Sequence, residues 1–204
     1  MTLAAVPISE RLQQALDASA ERHGRLCPRQ VLGVRIGLAG VEALGFDPDP
    51  VERRLLAFVE TDGCFVDGIE AATGCAVGHR TLRVHDYGKV AAVFVDVTDG
   101  RAVRIAPRAG IRQAAARYAP EESRRYYAQL AGYAAMPAHE LLEVTPVELL
   151  EDLTALMGRA GVRVECSACA EEIMNGRQVI RWDAVLCRGC AGGAYFRASP
   201  GVRA

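Results

Sequence analysis

The stretch from Glu60 to Lys89 combines side chains that could carry out chemistry. It holds two cysteines, several carboxylates, two histidines, a lysine and five glycines. Cys64 and Asp67 are three positions apart in a predicted helix, so their side chains share one face. A thiolate beside a carboxylate is the beginning of a metal site. The alternative is a structural cysteine next to a solvated aspartate, because free cysteine is often buried.

A second pair of potential ligands lies between the first two predicted helices. His23 and Cys27 are four residues apart in the segment HGRLCP, where glycine and proline restrict the backbone. Imidazole and thiolate both bind borderline or soft metals. A histidine near a helix end is more often an ordinary surface or core residue. The two residues together nevertheless favour a site, and we expect it to meet Cys64 in one pocket.

The C-terminal cysteines give the clearest chemical signal. Their spacing, Cys166-x2-Cys169-x17-Cys187-x2-Cys190, is typical of a structural zinc site, in which each CxxC turn directs two thiolates at one point. A segment of about 40 residues buries too little surface to fold alone, so the metal must stabilise it. A redox dithiol pair and an iron–sulfur site are the alternatives. We predict a zinc-ribbon domain at 162–204, after a core domain at 1–158.

Two short elements are predicted to position Cys64. The apolar run 55–60 indicates a buried strand, and helical spacing continues from 64 to 73, up to a stop at Gly74. We expect Asp62 to cap this helix. We also expect the helix N-terminus to lower the pKa of the Cys64 thiol, because its exposed N–H groups stabilise a thiolate.

The rest of the pattern predicts a sheet with helices before and after it in the chain. Helices are expected at 9–24, capped by Ser9, and at 28–45, which is apolar on nearly all sides. The predicted strands are 55–60, 82–86, 90–97 and 101–106, with Asp99-Gly100 as a type I′ hairpin turn. Adjacent strands joined by hairpins indicate an antiparallel sheet, and flanking helices make the fold class α+β.

Two further helical regions are predicted after the sheet. The segment 108–135 is helical in character, with a second half that opens at Pro120. Its tyrosines are expected to pack in the core or at a subunit interface. The segment Thr145-Pro146-Val147-Glu148 has the form of a capping box, and it predicts a helix that continues to Gly158.

The composition excludes several classes of protein. The 204 residues are 50% hydrophobic and 24% charged, and the net charge of −1 argues against a basic nucleic-acid-binding surface. No apolar run approaches the roughly 20 residues that cross a bilayer, and the first residues lack the pattern of a secretory signal. Seven cysteines, four of them in CxxC pairs, favour metal ligation in a reducing cytoplasm. We expect a cytoplasmic protein without nucleic-acid or membrane partners.

Several motifs, taken in order, resemble one protein family. They are HGxxCP at 23–28, LGxR at 32–35, ETDxCxVDxI at 60–69, TGC at 73–75 and DYGK at 86–89. This order is similar to the signature of the FmdE-like proteins, the family of the FmdE component of formylmethanofuran dehydrogenase. The resemblance implies an α+β core with a metal-holding cleft lined by cysteine and histidine, often in a dimer, with a zinc ribbon as a common C-terminal addition.

The resemblance also implies which positions form the cleft. They are His23, Cys27, Asp62, Cys64, Asp67, Cys75, Tyr87 and Lys89. The chain departs from the family pattern at three places. Arg25 stands where a second histidine is usual, Arg29 stands where a glycine is usual, and 78–81 reads GHRT instead of GKGN, which adds His79.

Three functions remain open from the sequence, and the first two are favoured about equally. In the first, the protein is an enzyme that uses a second transition metal, zinc, on a small molecule. The metal ligands are then His23, Cys27 and Cys64, and the catalytic residues are Cys64, Asp62, Asp67 and Lys89. The aspartates would accept protons, and the lysine would bind an anionic group together with Arg25. In the second, a homodimeric accessory protein handles metal or cofactor and docks on a larger molybdenum- or tungsten-type oxidoreductase. In the third, which we rank last, the chain is a purely structural zinc-ribbon protein and its core cysteines are inert.

Overall fold

The computed structural model describes residues 9–46, 54–158 and 161–197. These residues fall into two compact units, one that ends at Leu149 and one that begins at Leu150. The segment 153–158, which we predicted as part of the core domain, falls in the second unit. Within the described ranges, no helix is long and apolar enough to cross a membrane.

The first unit opens with two helices that the sequence predicted. Helix α1 spans Glu10–His23, and the Ser9 hydroxyl accepts the N–H of Leu12 at 3.3 Å. It ends at Gly24, whose φ of 79° suits glycine. Helix α2 spans Pro28–Ala43, with proline at its first turn, where the missing N–H costs nothing. Helix α2 is buried along most of its length, as its apolar sequence predicted.

A five-stranded sheet lies against α2, and α1 packs on α2. Its strands are β1 (Leu55–Val59), β2 (Leu82–Val84), β3 (Ala92–Asp96), β4 (Ala102–Pro107) and β5 (Leu142–Val147). Their order is β2-β1-β3-β4-β5, and all neighbours are antiparallel except β1 and β2, which run parallel. Helix α3 (Cys64–Thr73) begins the crossover that makes this parallel pair possible. The α+β class with a mostly antiparallel sheet and flanking helices is confirmed.

Strand β5 occupies a segment that we predicted to be helical. The capping-box pattern at Thr145–Glu148 was misleading, because Thr145 pairs with Arg104 and Pro146 pairs with Val103 of β4. Strand β5 is at the edge of the sheet, where the absent N–H of Pro146 breaks no ladder. The predicted helix is reduced to α7, Leu153–Gly158.

Two other local predictions were wrong in detail. The hairpin between β3 and β4 closes from Asp96 N to Arg101 O at 2.9 Å, and Gly100 has a φ of 76° while Asp99 keeps a negative φ. The turn is therefore not type I′, which needs positive φ at both central residues. After β4 come α4 (Ile111–Ala114), a 3-10 turn (Ala115–Tyr118), α5 (Arg125–Ala135) and α6 (Ala138–Leu141). Helix α5 starts at Arg125 instead of Pro120.

Close packing of α2 against α3 places the starts of both helices side by side. A Cβ added to Gly33 would lie 2.2 Å from the Phe65 carbonyl oxygen, and one added to Gly68 would lie 2.4 Å from the Gln30 carbonyl oxygen. Glycine is needed at both places because the two backbones touch. Beneath them, apolar side chains of the helices and of the sheet, such as Phe94, form one core.

The second unit contains two short hairpins. Strands β6 (Arg163–Glu165) and β7 (Glu172–Met174) form one, and β8 (Val179–Arg181) and β9 (Ala184–Leu186) form the other. Trp182 and Asp183 connect β8 to β9 with φ values of 51° and 63°. Positive φ at both positions is the pattern of a type I′ turn. A helical turn at Gly189–Gly193 follows and breaks at Gly192.

Candidate metal centres

Cys27 and Cys64 form a thiol pair at the starts of two helices. Cys27 is the residue before α2, and Cys64 is the first residue of α3. Their Sγ atoms lie 3.2 Å apart, and both side chains are partly buried. The residues are distant in sequence and are brought together by the contact between α2 and α3. Two thiols at this spacing can bind one metal ion or join to each other.

Gln30 fixes the backbone of Cys27 from within α2. This fully buried side chain accepts the Cys27 N–H through Oε1 at 2.9 Å. Its amide nitrogen donates to the carbonyl oxygen of Ser19 at 2.8 Å and to the Ser19 hydroxyl at 3.0 Å. Because all these groups are buried or partly buried, each bond matters for the position of Cys27. A buried glutamine therefore ties α1, α2 and the first thiol together.

His23 is paired with a carboxylate of α3. Its Nδ1 lies 2.9 Å from Oδ2 of Asp67, and the two side chains are 38% and 31% exposed. Arg22, the residue before His23, forms an ion pair at 3.0 Å with Glu70, which lies one turn beyond Asp67 in α3. A carboxylate on one ring nitrogen orients the imidazole and leaves Nε2 for a ligand, as at many metal-binding histidines. Both pairs thus lie along the contact between α1 and α3.

The core residues meet as two pairs. Within residues 9–46, 54–158 and 161–197, the C-terminal cysteines are the one group of three or more histidine, cysteine or acidic side chains that could share a metal ion. Their ligand atoms all lie within 4.8 Å of one another. The structure brings Cys27 to Cys64 and His23 to Asp67, but it does not gather all four at one point. A metal on the thiol pair would have an incomplete protein coordination sphere, which is typical of reactive sites.

The thiol of Cys64 is harder to ionise than we predicted. Burial raises its pKa to about 11, and the adjacent Cys27 thiol adds to the rise. The guanidinium of Arg29 acts in the opposite direction with a smaller effect. The helix N-terminus is therefore not the dominant influence, because desolvation and a second thiol both disfavour a thiolate in the absence of a cation.

The C-terminal cysteines form a closed four-thiol cluster. It consists of Cys166, Cys169, Cys187 and Cys190. The Cys166 Sγ accepts the N–H of Cys187 at 3.2 Å, and the Cys187 Sγ accepts the N–H of Cys190 at 3.3 Å. Backbone N–H groups lower the pKa of Cys166 to about 6, whereas the neighbouring thiols raise the pKa of Cys190 to about 12. Four thiols in contact, some supplied with N–H donors, fit a tetrahedral zinc ion.

Comparison with protein families decides what this chain is. The family described as "FmdE, Molybdenum formylmethanofuran dehydrogenase operon" matches residues 22–154, which is more than half of the chain. The chain belongs to the FmdE family. A second family, the prokaryotic DksA/TraR C4-type zinc finger, matches residues 158–196. The predicted family and the zinc-binding C-terminal domain are both confirmed.

Two individual proteins are similar to this FmdE-family chain. A "Probable S-adenosyl-L-methionine-binding protein" of Archaeoglobus fulgidus is 38% identical over 98 residues, which are 47% of this chain and 27% of that protein. The match thus spans about a quarter of the relative. The crystal structure of a "tungsten formylmethanofuran dehydrogenase subunit e (fmde)-like protein" from Syntrophus aciditrophicus has 21% identity and a TM-score of 0.61, covering 96% of this chain and 100% of that one. This likeness supports the fold.

The remaining predicted residues of the FmdE core lie outside the two pairs. Gly63, with a φ of 78°, occupies the cap position of α3, so Asp62 does not cap the helix. Asp62 and Lys89 are exposed, as is Tyr87 at 67%. Cys75 is 3% exposed, and its thiol contacts the Leu55 carbonyl oxygen at 3.5 Å. Burial raises the pKa of Cys75, which fits a structural residue.

An ion pair between the buried Glu60 and the partly buried Arg104 was not predicted from the sequence. Glu60 is 7% exposed and receives two bonds from the Arg104 guanidinium, at 2.6 and 2.7 Å. The Glu60 carbonyl oxygen accepts the N–H groups of Tyr87 and Lys89. Glu60 therefore fixes the segment that carries Lys89. The position of Glu60 directly after the apolar run 55–59 could have predicted this ion pair, because a buried charge needs a partner of opposite charge.

Proposed function

We propose that the FmdE core binds a transition metal, zinc, through Cys27 and Cys64, and that His23 moves towards the thiol pair to become a further ligand. The contact of 3.2 Å between the two thiols carries this proposal. Sulfur and imidazole donors suit zinc, and the open side of the thiol pair leaves positions for a small molecule. The metal when bound supplies Lewis acidity.

The surrounding residues have distinct roles in this proposal. Asp67 orients His23 through the bond to Nδ1. Because Asp67 is engaged, Asp62 is assigned as the proton acceptor, since it is exposed two residues before Cys64. Lys89 and Arg25 are exposed cations that bind an anionic group of the small molecule.

Metal analysis of the purified protein tests the second site. We expect about two zinc ions per chain in the native protein and about one in Cys64→Ala, because the C-terminal cluster keeps its ion. Cys75→Ala is the matched control, since its thiol lies elsewhere in the core, and it should retain about two. A native protein with about one ion, unchanged in Cys64→Ala, would contradict the proposal.

A non-catalytic role is the second candidate. The family description names a formylmethanofuran dehydrogenase operon, which makes an oxidoreductase a natural partner. In that role the chain handles metal or cofactor for a larger molybdenum- or tungsten-type enzyme. Exchange of the core metal with a chromophoric chelator separates the roles: an accessory protein releases it readily to the partner, and an enzyme retains it through turnover.

Self-association is also proposed for this chain. Tyr126 and Tyr127 contact each other edge to face at the start of α5, yet they are 46% and 43% exposed. Aromatic side chains of this kind are enriched at interfaces. We expect a homodimer by light scattering and a shift to monomer in Tyr126→Ser/Tyr127→Ser, and a monomeric native protein would exclude it.

A further inference from the structure

The thiol pair of Cys27 and Cys64 is also arranged for chemistry that needs no metal. A disulfide has a sulfur–sulfur bond of about 2.05 Å. The two Sγ atoms are already 3.2 Å apart. Side-chain rotation by a small amount therefore brings them to bonding distance. Cys75, which is nearly fully buried and bonded to the Leu55 carbonyl, has no comparable arrangement with either thiol.

The helix packing keeps the two sulfurs together. The backbones of α2 and α3 touch at Gly33 and Gly68, and Gln30 holds the Cys27 N–H. The helix starts cannot separate without breaking this contact. A group held next to its reaction partner reacts as if the partner were at very high concentration. After one thiol forms a mixed disulfide, attack by the other is therefore favoured over accumulation of the mixed species.

We propose that Cys27 and Cys64 form a reversible disulfide by exchange with small-molecule disulfides. One cysteine, as its thiolate, attacks the small disulfide and releases its first thiol. The second cysteine attacks the resulting mixed disulfide and releases the second thiol. The protein pair loses two electrons and two protons, and the small disulfide gains both as it becomes two thiols.

The charge around the pair selects the class of disulfide. Arg29 is exposed, and its positive charge acts on Cys64. A cation at this place attracts disulfides that carry carboxylates, such as glutathione disulfide. A cationic disulfide such as cystamine is disfavoured at the same place.

Oxidation of the pair also controls the core metal, and this consequence rests on the proposed function. A disulfide offers no thiolate to a metal ion. Formation of the disulfide therefore releases the ion from the core. The C-terminal zinc cluster, whose four thiols lie in the other unit, keeps its own ion at mild oxidant concentrations.

The exchange is tested on the full chain in buffers of reduced and oxidised glutathione, followed by alkylation, digestion and mass spectrometry. We expect a peptide pair linked through Cys27 and Cys64, which disappears when reduced glutathione is raised. Cys75 should be alkylated only after unfolding. In Cys64→Ser, and reciprocally in Cys27→Ser, the remaining thiol should carry one glutathione. Cys75→Ser is the control and should behave as the native chain.

Two further measurements complete the test. Arg29→Glu should slow the reaction with glutathione disulfide by about tenfold and accelerate the reaction with cystamine, as expected for steering by charge. Mixed disulfides at Cys27 or Cys64 without a linked peptide, or thiols that stay reduced, would overturn the proposal. Zinc content measured before oxidation distinguishes the proposed core metal from the proposed disulfide. About one ion in the reduced chain would refute the core metal. The disulfide is judged separately, by whether the linked peptide forms.

Discussion

At the scale of single residues, the position of Cys27 depends on Gln30. The glutamine is completely buried, and its amide satisfies one N–H of Cys27 and two oxygens of Ser19. A buried polar side chain in the first turn of an apolar helix is stable only with such partners. The residue that is least expected from the hydrophobic pattern of α2 is thus the one that orders the start of α2.

Replacement of Gln30 tests this dependence. Gln30→Met keeps the volume but leaves the Cys27 N–H without its side-chain partner and removes both bonds to Ser19, so we expect the free energy of unfolding to fall by about 2 kcal/mol. Metal binding at the thiol pair should weaken as well. Urea denaturation and chelator competition measure the two effects. Gln13→Met is the control, because the Gln13 side chain bonds the exposed Asp17; equal effects from both variants would refute the role of Gln30.

Asp96 makes stability depend on acid pH. Its side chain is fully buried, and bonds from Arg54 and from the Thr98 N–H hold its pKa below the usual value. A carboxylate with a lowered folded pKa stabilises the protein above its unfolded pKa of about 4. This contribution is lost as the pH falls through the lowered folded pKa.

The matching variant is Asp96→Asn. We expect it to be less stable than the native protein at pH 7 and to show a flatter decline in stability below about pH 4, since position 96 then has no carboxylate to protonate. Thermal melts across that pH range measure both effects. Asp17→Asn, on the exposed face of α1, is the control and should leave the dependence of stability on pH unchanged. If Asp96→Asn lost stability below pH 4 as steeply as the native protein, Asp96 would not be the source of this pH dependence.

Residue types and their spacing predicted part of the chemistry. The spacing of the four C-terminal cysteines predicted their cluster, because CxxC turns form locally. We expected Cys27 to meet Cys64, but sequence spacing alone could not establish this contact, because it depends on how two helices pack. Glu60 and Arg104 were missed because their pairing joins the end of β1 to β4, through a partner 44 positions away.

At the scale of elements, the contact between α2 and α3 builds the site. Gly33 and Gly68 let the two backbones approach, and Gly37 faces the Cβ of Ala72 one turn further along. Any side chain at these glycines would push the helices apart. Because the two thiols lie at the starts of these helices, moving the helices apart would also move the thiols apart.

Gly68→Ala tests the contact. The added methyl would lie 2.4 Å from the Gln30 carbonyl oxygen, so we expect a loss of about 1–3 kcal/mol in stability and slower formation of any link between Cys27 and Cys64. Differential scanning calorimetry and thiol cross-linking report the two effects. Gly78→Ala is the control, since nothing lies within 4 Å of its added methyl. Native behaviour of Gly68→Ala would show that the helices can shift freely.

Elements were predictable where their signals are local. Helix α1 followed from its Ser9 cap and apolar spacing, and helix α3 followed from apolar spacing and the stop at Gly74. Strands β1, β3 and β4 followed from short apolar runs. Strand β5 was predicted as helix because Thr145–Glu148 has the form of a capping box. Its pairing with β4 supplies backbone bonds that a local pattern does not reveal, and tertiary context then overrides the local preference.

At the scale of the whole molecule, the two units differ in what stabilises them. The unit that ends at Leu149 has a continuous apolar core between helices and sheet. In the unit that begins at Leu150, buried apolar residues are few, with Ile173 and Ala191 among them at 8% exposure. A small unit of this kind takes much of its folding free energy from a bound metal.

Zinc removal should therefore act on one unit. A strong chelator under reducing conditions is expected to unfold residues 161–197 and to leave the sheet of the first unit intact. Two-dimensional NMR of the amide groups distinguishes the units, and zinc addition should restore the lost signals. Cys169→Ser should produce the same partial unfolding without chelator. Loss of signals from β1 and β3 at the same chelator concentration would contradict separate stabilisation.

The family and the α+β class could be predicted from the sequence because they rest on many motifs in order. The core boundary at 158 was a prediction from the helix that we expected to run to Gly158, and that helix is shorter than predicted. The parallel pairing of β1 with β2 escaped prediction, because a crossover through α3 looks locally like any helix between two strands.

The hairpin tip of the second unit has a practical consequence. Trp182 is the chain's single tryptophan, and it is 97% exposed at a position with positive φ. Because this indole is already surrounded by water, its emission wavelength should change little on unfolding. Its fluorescence anisotropy, in contrast, follows the rigidity of the β8–β9 tip. Polarised emission of one natural fluorophore would thus report the order of the finger alone, without labelling.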